Sequence, residues 1–362
     1  MVYLDLILIG FGHVGRRFGR LLQEKSVRLR RDYGLSWRVV GIATRHHGST
    51  FDGRGLDLER ALRIVENGAS LAPLSQVDAD RTLAADASGI ELIRHATTDL
   101  RRRRLQHLVV VETTLLDIAR GQPAIDHATT ALRAGAHVVT ANKGPVAFAY
   151  RELCAVAEAA GLEFLFEGAV MDGCPVFNLV RETLPVAEIS GFRGVINSTT
   201  NHILTAMEGG REFDEALDDM QRAGIAEADP SFDIDGWDAA AKTAALINVL
   251  MRGSTNPRVI PRTGIGGITR ARVQAAMARG RRLRLVATAE RRDGQAYGRV
   301  EPVELDEHDP LAGLSGMQNL LVLQTDVLGE LGILQMEGGL HQTAYALVSD
   351  LVTIARRVGE AE

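Results

Sequence analysis

The chain of 362 residues has little of what marks a secreted, metal-stapled or membrane-spanning protein. Its two cysteines, Cys154 and Cys174, are too few for a disulfide framework and lack the spacing of metal ligands. No uncharged apolar stretch reaches about 18 residues, so no membrane-spanning helix is expected. The N-terminal apolar stretch lacks both a basic segment before it and a small-residue cleavage site after it, which argues against a signal peptide. We therefore expect a cytoplasmic protein.

Neither sign of charge is in large excess, since 41 Lys and Arg face 46 Asp and Glu for a formal net charge of −5. This balance gives no electrostatic reason to expect a nucleic acid or an anionic membrane as partner. Hydrophobic residues make up 46% of the chain and charged residues 24%, the usual composition of a globular protein. The length predicts two domains or one large composite domain.

Strand-like and helix-like segments alternate over the first 145 residues. Apolar runs typical of buried strands occupy residues 3–9, 37–43, 107–112 and 136–140, and residues 14–29 have helical periodicity. This alternation predicts an α/β fold of Rossmann type, with a doubly wound parallel sheet. The later residues lack that regular order and predict an α+β region. Its expected strands are 163–166 and 189–196, and its expected helices are 153–160, 202–207, 236–251, 269–279 and 343–358.

A glycine-rich loop, GFGHVG at residues 10–15, follows the first predicted strand and opens the first helix. Gly10 permits a tight turn, Gly12 lets the backbone approach a pyrophosphate, and Gly15 lets helix and strand pack closely. The following helix N-terminus attracts the anion. The alternative is a glycine turn of some other α/β unit. The second strand, about 25 residues later, favours a dinucleotide site.

The end of the second strand bears on the choice of cofactor. An acidic residue there would bind a free ribose 2′-hydroxyl, whereas an arginine can neutralise a 2′-phosphate. The sequence reads ATRHH at residues 43–47, and the first acidic residue after it is Asp52. Arg45 therefore favours NADP over NAD, unless it is simply an exposed residue at a strand end.

Asp238 and Lys242 are the only charged residues in the otherwise apolar helix predicted over 236–251. They are spaced i and i+4, so they share one face of the helix. A surface ion pair would have polar neighbours, and these have almost none, so the helix is expected to be buried with its charges. A structural buried pair is one alternative. A lysine beside a carboxylate in a partly desolvated cleft also suits a proton-transfer role, which we favour.

Four acidic residues precede this helix: Glu227, Asp229, Asp233 and Asp235. A dense group of carboxylates suits a substrate that carries an ammonium group. For Asp229 and Asp235 we favour the alternative that they cap the helix and face water.

Five segments taken together resemble the homoserine dehydrogenase family over almost the whole chain. They are GFGHVG at 10–15, VVTANK at 138–143, EGAVMDGCP at 167–175, NSTTN at 197–201, and the stretch from AEADP at 226–230 through Lys242. The last is the most specific, because the family's Glu, Asp, Asp and Lys fall on residues 227, 233, 238 and 242.

The resemblance implies NAD(P)-dependent interconversion of L-homoserine and L-aspartate 4-semialdehyde, in threonine and methionine biosynthesis. It implies that Glu227 and Asp233 hold the substrate ammonium, with Thr199 and Ser198 lining the same pocket. Lys242, oriented by Asp238, would exchange the hydroxyl proton. Lys143 would share that role or position the substrate, and the sequence leaves the division between the two lysines open.

For the cofactor, the resemblance implies a larger set of contacts, made by Gly10, Phe11, Gly12, His13, Val14, Gly15, Arg45, Thr113, Thr114, Lys143 and Gly338. The segment at 167–175 is similar to a turn that binds a monovalent cation, sodium among them, chiefly through backbone carbonyls. The corresponding residues are Glu167, Val170, Asp172 and Cys174.

The resemblance also implies a domain organisation. A cofactor-binding domain is expected over 1–150, a substrate-binding and dimerisation domain over 151–320, and a C-terminal segment over 321–362 that returns to the first domain. A homodimer is expected. No regulatory or kinase domain is expected, because the chain stops soon after its last predicted helix.

The chain departs from the family pattern at a few positions. Ser198 stands where a glycine is usual and could crowd the pocket floor. Ile225 replaces an aromatic residue, and Glu337 lies in a loop that is usually richer in glycine. Asp172 and Cys174 replace small or apolar residues, which carbonyl ligation tolerates.

Two other functions compete with this one. A phosphorylating semialdehyde dehydrogenase needs a thiolate with a nearby base. Cys154 lies in an alanine-rich helix and Cys174 has no evident histidine partner, which disfavours that enzyme. A non-catalytic nucleotide-binding regulator of the same fold is the second alternative. The presence of both site lysines and of Asp238 disfavours it.

Overall fold

The computed structural model describes residues 1–74, 83–102, 107–222 and 229–361. The chain forms two compact units. The first contains Met1–Pro145, Ala149–Cys174 and Gly339–Glu362, and the second contains Val146–Phe148 and Pro175–Gly338. The first unit thus extends beyond the expected boundary at 150, and the returning C-terminal segment begins at 339, where the expectation was 321.

A six-stranded sheet forms the centre of the first unit, with the strand order β3-β2-β1-β4-β5-β6. All neighbouring strands are parallel except β2 and β3, which are antiparallel. The chain moves from β1 outward to β2 and then returns to place β4 on the other side of β1, which creates the switch point where such sheets bind ligands. The strands are β1 (Val2–Ile9), β2 (Leu35–Ala43), β3 (Ser49–Phe51), β4 (Leu108–Glu112), β5 (His137–Thr140) and β6 (Phe164–Leu165).

Helices cover this sheet and bury its apolar residues. The central strand β1 is buried along nearly its whole length, as its unbroken apolar sequence predicts. Its side chains pack with those of the first helix and of the C-terminal helix into one core. The helices are α1 (His13–Tyr33), α2 (Leu58–Glu66), α3 (Gly89–Arg102), α4 (Ala124–Arg133), α5 (Lys143–Ala159) and, at the end of the chain, α12 (Leu340–Ala361).

The second unit is built on a five-stranded antiparallel sheet with the order β11-β10-β7-β8-β9. Its strands are β7 (Ile189–Val195), β8 (Arg281–Arg292), β9 (Gln295–Asp306), β10 (Asn319–Thr325) and β11 (Gly329–Gln335). Its helices are α6 (Val176–Asn178), α7 (Ser198–Glu208), α8 (Phe213–Arg222), α9 (Ser231–Ile234), α10 (Trp237–Leu250) and α11 (Arg270–Met277).

The predicted α/β and α+β classes are confirmed, with three differences in detail. The edge strand β3 is antiparallel, so the first sheet is not wholly parallel. The strands from β8 to β11 have no counterpart in the sequence-based expectation. The acidic loop contains the short helix α9, where a loop was expected.

Within the described part of the chain, none of the helices has the length and apolar character needed to cross a membrane.

Candidate active site

The glycine loop connects β1 to α1 at the switch point of the first sheet. Gly10 has a φ of +86°, and a Cβ on it would lie 2.7 Å from the carbonyl carbon of Thr113, which follows β4. A Cβ on Gly15 would lie 2.7 Å from the carbonyl oxygen of Gly10, so neither position accepts a side chain. Gly12 has no atom within 4 Å of its Cβ position. The loop is therefore closed beneath and open at Gly12, as a pyrophosphate cradle at a helix N-terminus requires.

The other loop residues differ in what their side chains can contact. Phe11 is buried in the core of the first unit, and Val14 packs against that core. His13 is exposed. A cofactor contact by Phe11 would therefore come from its backbone.

Arg45 lies in a tight turn after β2 and is exposed. The Thr44 hydroxyl holds the turn, because it donates to the carbonyl oxygen of Gly48 at 3.0 Å and accepts the His47 N–H at 2.7 Å. The Asp52 carboxylate accepts the Arg54 N–H at 2.9 Å. Asp52, the first acidic residue after Arg45, is thus hydrogen-bonded within its own turn.

Lys143 is the first residue of α5 and is half-buried. The helix is capped by Asn142, whose Oδ1 accepts the Gly144 N–H at 2.8 Å. The Asn142 amide nitrogen donates to the carbonyl oxygen of Thr114 at 2.9 Å, and the Thr113 hydroxyl donates to the carbonyl oxygen of Gly10 at 2.8 Å. Hydrogen bonds therefore connect the glycine loop, the two threonines after β4 and the start of α5.

Helix α10 in the second unit carries the predicted ion pair. Lys242 Nζ lies 2.8 Å from Asp238 Oδ2, and the two side chains are only 14% and 8% exposed. Lys242 also donates to the carbonyl oxygen of Ile196 at 2.7 Å. The expectation of a buried helix is confirmed, and of its charge pair Asp238 is buried and Lys242 is partly exposed. Asp238 lies in the first turn of α10, where a negative charge is favourable to the helix dipole.

Asp233 from α9 reaches the same cluster. The amide nitrogen of Asn197 donates to Asp233 Oδ1 at 2.7 Å and to Asp238 Oδ2 at 2.9 Å. Burial and the neighbouring Asp238 charge raise the pKa of Asp233, while hydrogen bonds from Asn197 and Thr199 and the charge of Lys242 act in the opposite direction. The structure thus brings together four of the residues expected at the substrate: Lys242, Asp238, Asp233 and Thr199.

Asn197 begins the NSTTN segment at 197–201, but no sequence pattern predicts that its side chain belongs to the site. The available signal was an asparagine at a strand end just before a helix, which predicts an N-cap. That signal says nothing about the carboxylates that the amide also contacts.

Ser198, which stands where the family usually has glycine, is hydrogen-bonded to the second sheet. Its hydroxyl accepts a hydrogen bond from the amide nitrogen of Asn319 at 2.8 Å, and that nitrogen also donates to Gln335 Oε1 at 3.0 Å. Asn319 begins β10 and Gln335 ends β11. The serine hydroxyl is therefore part of the packing of the second sheet.

Two of the expected positions, Glu227 and Ile225, lie outside the described residues. Gly338 is the last residue of the second unit, and Glu337 beside it is exposed.

The turn at residues 167–174 has an unusual backbone. Met171 and Asp172 both have φ values near +50°, which is costly for residues other than glycine. A Cβ on Gly173 would lie 2.2 Å from the carbonyl oxygen of Gln342, and the Thr343 hydroxyl donates to Asp172 Oδ1 at 3.0 Å. The start of α12 therefore holds the turn. Glu167 and Val170 are buried within it.

Side chains alone do not form a metal site in the described ranges, where no group of three or more His, Cys, Asp and Glu residues is arranged to hold an ion. A cation at this turn would depend on backbone carbonyls, which is the ligation expected from sequence.

The two cysteines are not activated nucleophiles. Burial raises the pKa of the Cys154 thiol. Burial together with the charges of Glu167 and Asp172 raises the pKa of Cys174 to about 11. A thiolate enzyme requires the opposite shift, so the thiol-dependent alternative is further disfavoured.

A glycine loop at the switch point of a parallel sheet is typical of dinucleotide-binding domains, and a largely buried lysine–carboxylate pair is typical of proton-transfer sites, so each feature separately fits a nicotinamide-dependent oxidoreductase. Two family models match the chain, "Homoserine dehydrogenase, NAD binding domain" over residues 10–167 and "Homoserine dehydrogenase" over residues 175–352. The chain belongs to the homoserine dehydrogenase family.

Relatives align with nearly the whole chain. The NAD(+)-dependent homoserine dehydrogenase of Pseudomonas canavaninivorans is 32% identical and covers 98% of this chain and 97% of its own length. The homoserine dehydrogenase of Methanocaldococcus jannaschii is 34% identical and covers 97% and 98%.

Solved structures agree with these relatives. The homoserine dehydrogenase of Thiobacillus denitrificans has a TM-score of 0.78 at 30% identity and covers 98% of this chain and 74% of its own. A hyperthermophilic archaeal homoserine dehydrogenase in complex with NADPH has a TM-score of 0.77 at 28% identity and covers 98% of both chains.

Proposed function

We propose that this chain interconverts L-homoserine and L-aspartate 4-semialdehyde with a nicotinamide cofactor. The observation that carries the proposal is the partly buried cluster of Lys242, Asp238 and Asp233, joined by Asn197. It provides a proton donor and a separate carboxylate in one place, and the family is that of enzymes acting on this substrate.

Asp233 binds the substrate ammonium in this proposal, together with Glu227. A carboxylate that is partly buried among hydrogen-bond donors attracts a cation more strongly than one in water, because fewer water molecules screen it. Thr199, which is 8% exposed, lies next to Asp233 and contributes a polar contact. Ser198 shapes the same segment through its bond to Asn319.

Lys242 transfers the proton. In the reducing direction its ammonium donates a proton to the aldehyde oxygen as a hydride adds to the substrate carbon, and the lysine is left neutral. In the oxidising direction the neutral amine accepts the hydroxyl proton. Asp238 stabilises the charged form and orients Nζ, and the Ile196 carbonyl oxygen fixes it from a second direction. Lys143, at the start of α5, positions the substrate or shares the proton transfer.

A bound nicotinamide supplies the hydride acceptor or donor, and the first unit would hold it. The backbone of residues 10–15 receives the pyrophosphate, with the Phe11 backbone and the neighbouring His13 and Val14 lining the loop. Thr113, Thr114 and Lys143 follow the loop through the hydrogen bonds that connect it to the start of α5. Gly338, the last residue of the second unit, is the remaining cofactor contact in this proposal.

The cofactor is NADP in this proposal. The exposed Arg45 at the end of β2, with no free carboxylate beside it in the turn, supports recognition of a 2′-phosphate. The relatives point both ways, since one is named as NAD(+)-dependent and another was solved with NADPH. The cofactor assay therefore needs both dinucleotides.

We further propose a monovalent cation at the strained turn, held by the backbone carbonyls of Glu167, Val170, Asp172 and Cys174. Turnover measured in sodium, potassium and choline chloride at equal ionic strength tests it. A rate that does not depend on the cation would contradict a functional site.

The remaining assignments follow the family: a cytoplasmic homodimer acting in threonine and methionine biosynthesis. Leu334 and Met336, at the edge strand β11, are exposed and available to a second copy. Light scattering of the purified protein gives the oligomeric state.

The deciding experiment incubates the purified protein with L-homoserine and either NADP or NAD while reduced nicotinamide absorbance is followed. Reduction of the cofactor that depends on homoserine is expected. An absence of turnover with both cofactors, in a protein that still binds reduced nicotinamide, would refute the proposed activity.

A further inference from the structure

Asn197 contacts three different parts of the second unit through one buried side chain. It follows β7 and is only 4% exposed. Its Oδ1 accepts the Thr200 N–H at 2.8 Å and so caps the N-terminus of α7. Because the oxygen is occupied by an N–H donor, the amide can have only one orientation, with the nitrogen toward the carboxylates.

The amide nitrogen gives its two hydrogens to two different carboxylates. One goes to Asp233 Oδ1 at 2.7 Å on α9, and the other goes to Asp238 Oδ2 at 2.9 Å on α10. Asp238 Oδ2 is the same atom that pairs with Lys242 Nζ. One amide group therefore connects an expected ammonium-binding carboxylate to the proton-transfer pair.

These two carboxylates would repel each other without a donor between them. Both oxygens lie within hydrogen-bond reach of a single nitrogen, in a partly buried site where charge repulsion is poorly screened. The repulsion can be relieved by donors or by taking up a proton. A protonated Asp233 would lose its attraction for an ammonium group.

We propose that Asn197 is a positioning residue. It keeps Asp233 charged and holds it at a fixed position beside the Asp238–Lys242 pair. This inference rests on the proposed function, because it assigns the two carboxylates different tasks on one substrate. Loss of the amide hydrogens should weaken substrate binding through Asp233 and slow proton transfer through Asp238.

The capping role of Asn197 can be separated from this bridging role. A cap needs only an oxygen acceptor, and serine and aspartate cap helices as well as asparagine does. Neither can donate two hydrogens to two carboxylates. Asn197→Ser therefore keeps the cap and removes the bridge, and Asn197→Asp keeps the cap and adds a third negative charge.

The test measures kcat, KM for L-homoserine and the dissociation constant of reduced nicotinamide in Asn197→Ser. Hydrogen bonds to charged groups contribute about 1.5–3 kcal/mol, which is about 10- to 100-fold in an equilibrium constant. We expect KM to rise by about tenfold or more and kcat to fall by about tenfold, with cofactor affinity within about twofold of wild type. Asn197→Asp should be worse in both parameters.

Asn248→Ser is the matched control. Asn248 is a buried asparagine of α10 whose amide donates to the backbone carbonyl oxygens of Val146, Ala147 and Thr255 and, among the described residues, to no carboxylate. Its loss should lower the melting temperature without the combined change in KM and kcat.

A double-mutant cycle with Asp233→Asn gives the second readout. If Asn197 acts on binding through Asp233, its replacement in the Asp233→Asn background should raise KM far less than in wild type. Independent effects on KM would overturn the inference, as would near-wild-type kinetics of a folded Asn197→Ser. If Asn197→Ser does not fold, the same comparisons are made with Asn197→Asp. An inactive wild type would remove the proposed function and this role with it, whereas an active wild type with an unimpaired variant would remove only the role.

Discussion

Lys242 Nζ and Asp238 Oδ2 lie 2.8 Å apart on successive turns of one buried helix. A buried ion pair contributes little net stability, and one partner left alone is costly. Because stability does not explain this ion pair in an otherwise apolar helix, we infer that the lysine serves the chemistry. Lys242 Nζ also donates to the Ile196 carbonyl oxygen, and Asp238 Oδ2 also accepts a hydrogen bond from the Asn197 amide.

Replacement of Lys242 by alanine should lower kcat by about 10²- to 10⁴-fold, the usual contribution of a general acid or base. Cofactor affinity should be unchanged, because the proposed pyrophosphate contacts come from the backbone of residues 10–15. Steady-state kinetics and fluorescence titration with reduced nicotinamide measure the two effects. Lys25→Ala, at an exposed lysine of α1, is the control and should behave like wild type. A large loss of cofactor affinity in Lys242→Ala would mean that its role has been misassigned.

Arg45→Ala should raise KM for NADP about tenfold more than KM for NAD, because only NADP carries the phosphate that the guanidinium neutralises. The measurement is KM for both cofactors at saturating homoserine. Arg30→Ala removes a similarly exposed arginine from α1 and should leave the ratio unchanged. If Arg45→Ala leaves the ratio of KM for NADP to KM for NAD unaltered, Arg45 is only a solvated residue at the end of β2.

Ser198→Ala should lower the free energy of unfolding by about 1 kcal/mol, since Asn319 is 2% exposed and loses a hydrogen-bond partner. KM for homoserine should stay within about twofold, because the removed hydroxyl bonds to the second sheet. Urea unfolding and steady-state kinetics provide the two values. Ser198→Gly should be less stable than Ser198→Ala, because glycine has more conformational freedom to lose. A drop in KM with no loss of stability would instead support crowding by the serine.

Stability should fall as the pH is lowered from about 6.5 to about 4, because of His137. Burial, with a smaller contribution from His107, lowers the pKa of His137 to about 4, so its imidazole stays neutral in the folded protein. The unfolded chain takes up this proton near pH 6.5, and the stabilisation is lost across that window, by about 3 kcal/mol at most.

His137→Asn should flatten this part of the profile. An asparagine oxygen can accept the Glu163 N–H that now donates to His137 Nδ1 at 3.0 Å. The measurement is the urea midpoint at several pH values, with the exposed His308→Asn as the control. An identical slope in wild type and His137→Asn would assign the pH dependence to other groups.

Local signals predicted the first unit well. The strand β1, the glycine loop and α1 are contiguous, so the loop motif alone predicts the roles of its glycines. The Thr113 backbone, which excludes a side chain at Gly10, comes from a distant part of the chain. The same holds for Asp238 and Lys242, whose i, i+4 spacing in an apolar helix is a property of the helix alone. The resemblance to a known family then supplied the substrate and most residue roles.

The second sheet was harder to predict, although one of its hairpins carries a clear signal. Asp293 and Gly294 form a two-residue turn with positive φ values between β8 and β9. An Asp-Gly pair between two candidate strands is a strong hairpin indication. The residues on either side of this turn, at 290–292 and 295–299, are mostly charged or exposed, and the buried stretch of β8 ends at Ala289. The apolar pattern therefore stops short of the turn and marks the hairpin poorly.

The sequence by itself determined that a dinucleotide loop and a buried lysine–aspartate pair exist, because both are contained in short contiguous segments. Only the tertiary structure decided that Asn197, Asp233 and Asp238 meet, since they come from three elements up to 41 residues apart. It also decided that Ser198 bonds to Asn319, 121 residues away. Such contacts depend on how separate elements pack, and the spacing of residues along the chain does not encode that packing in any local pattern.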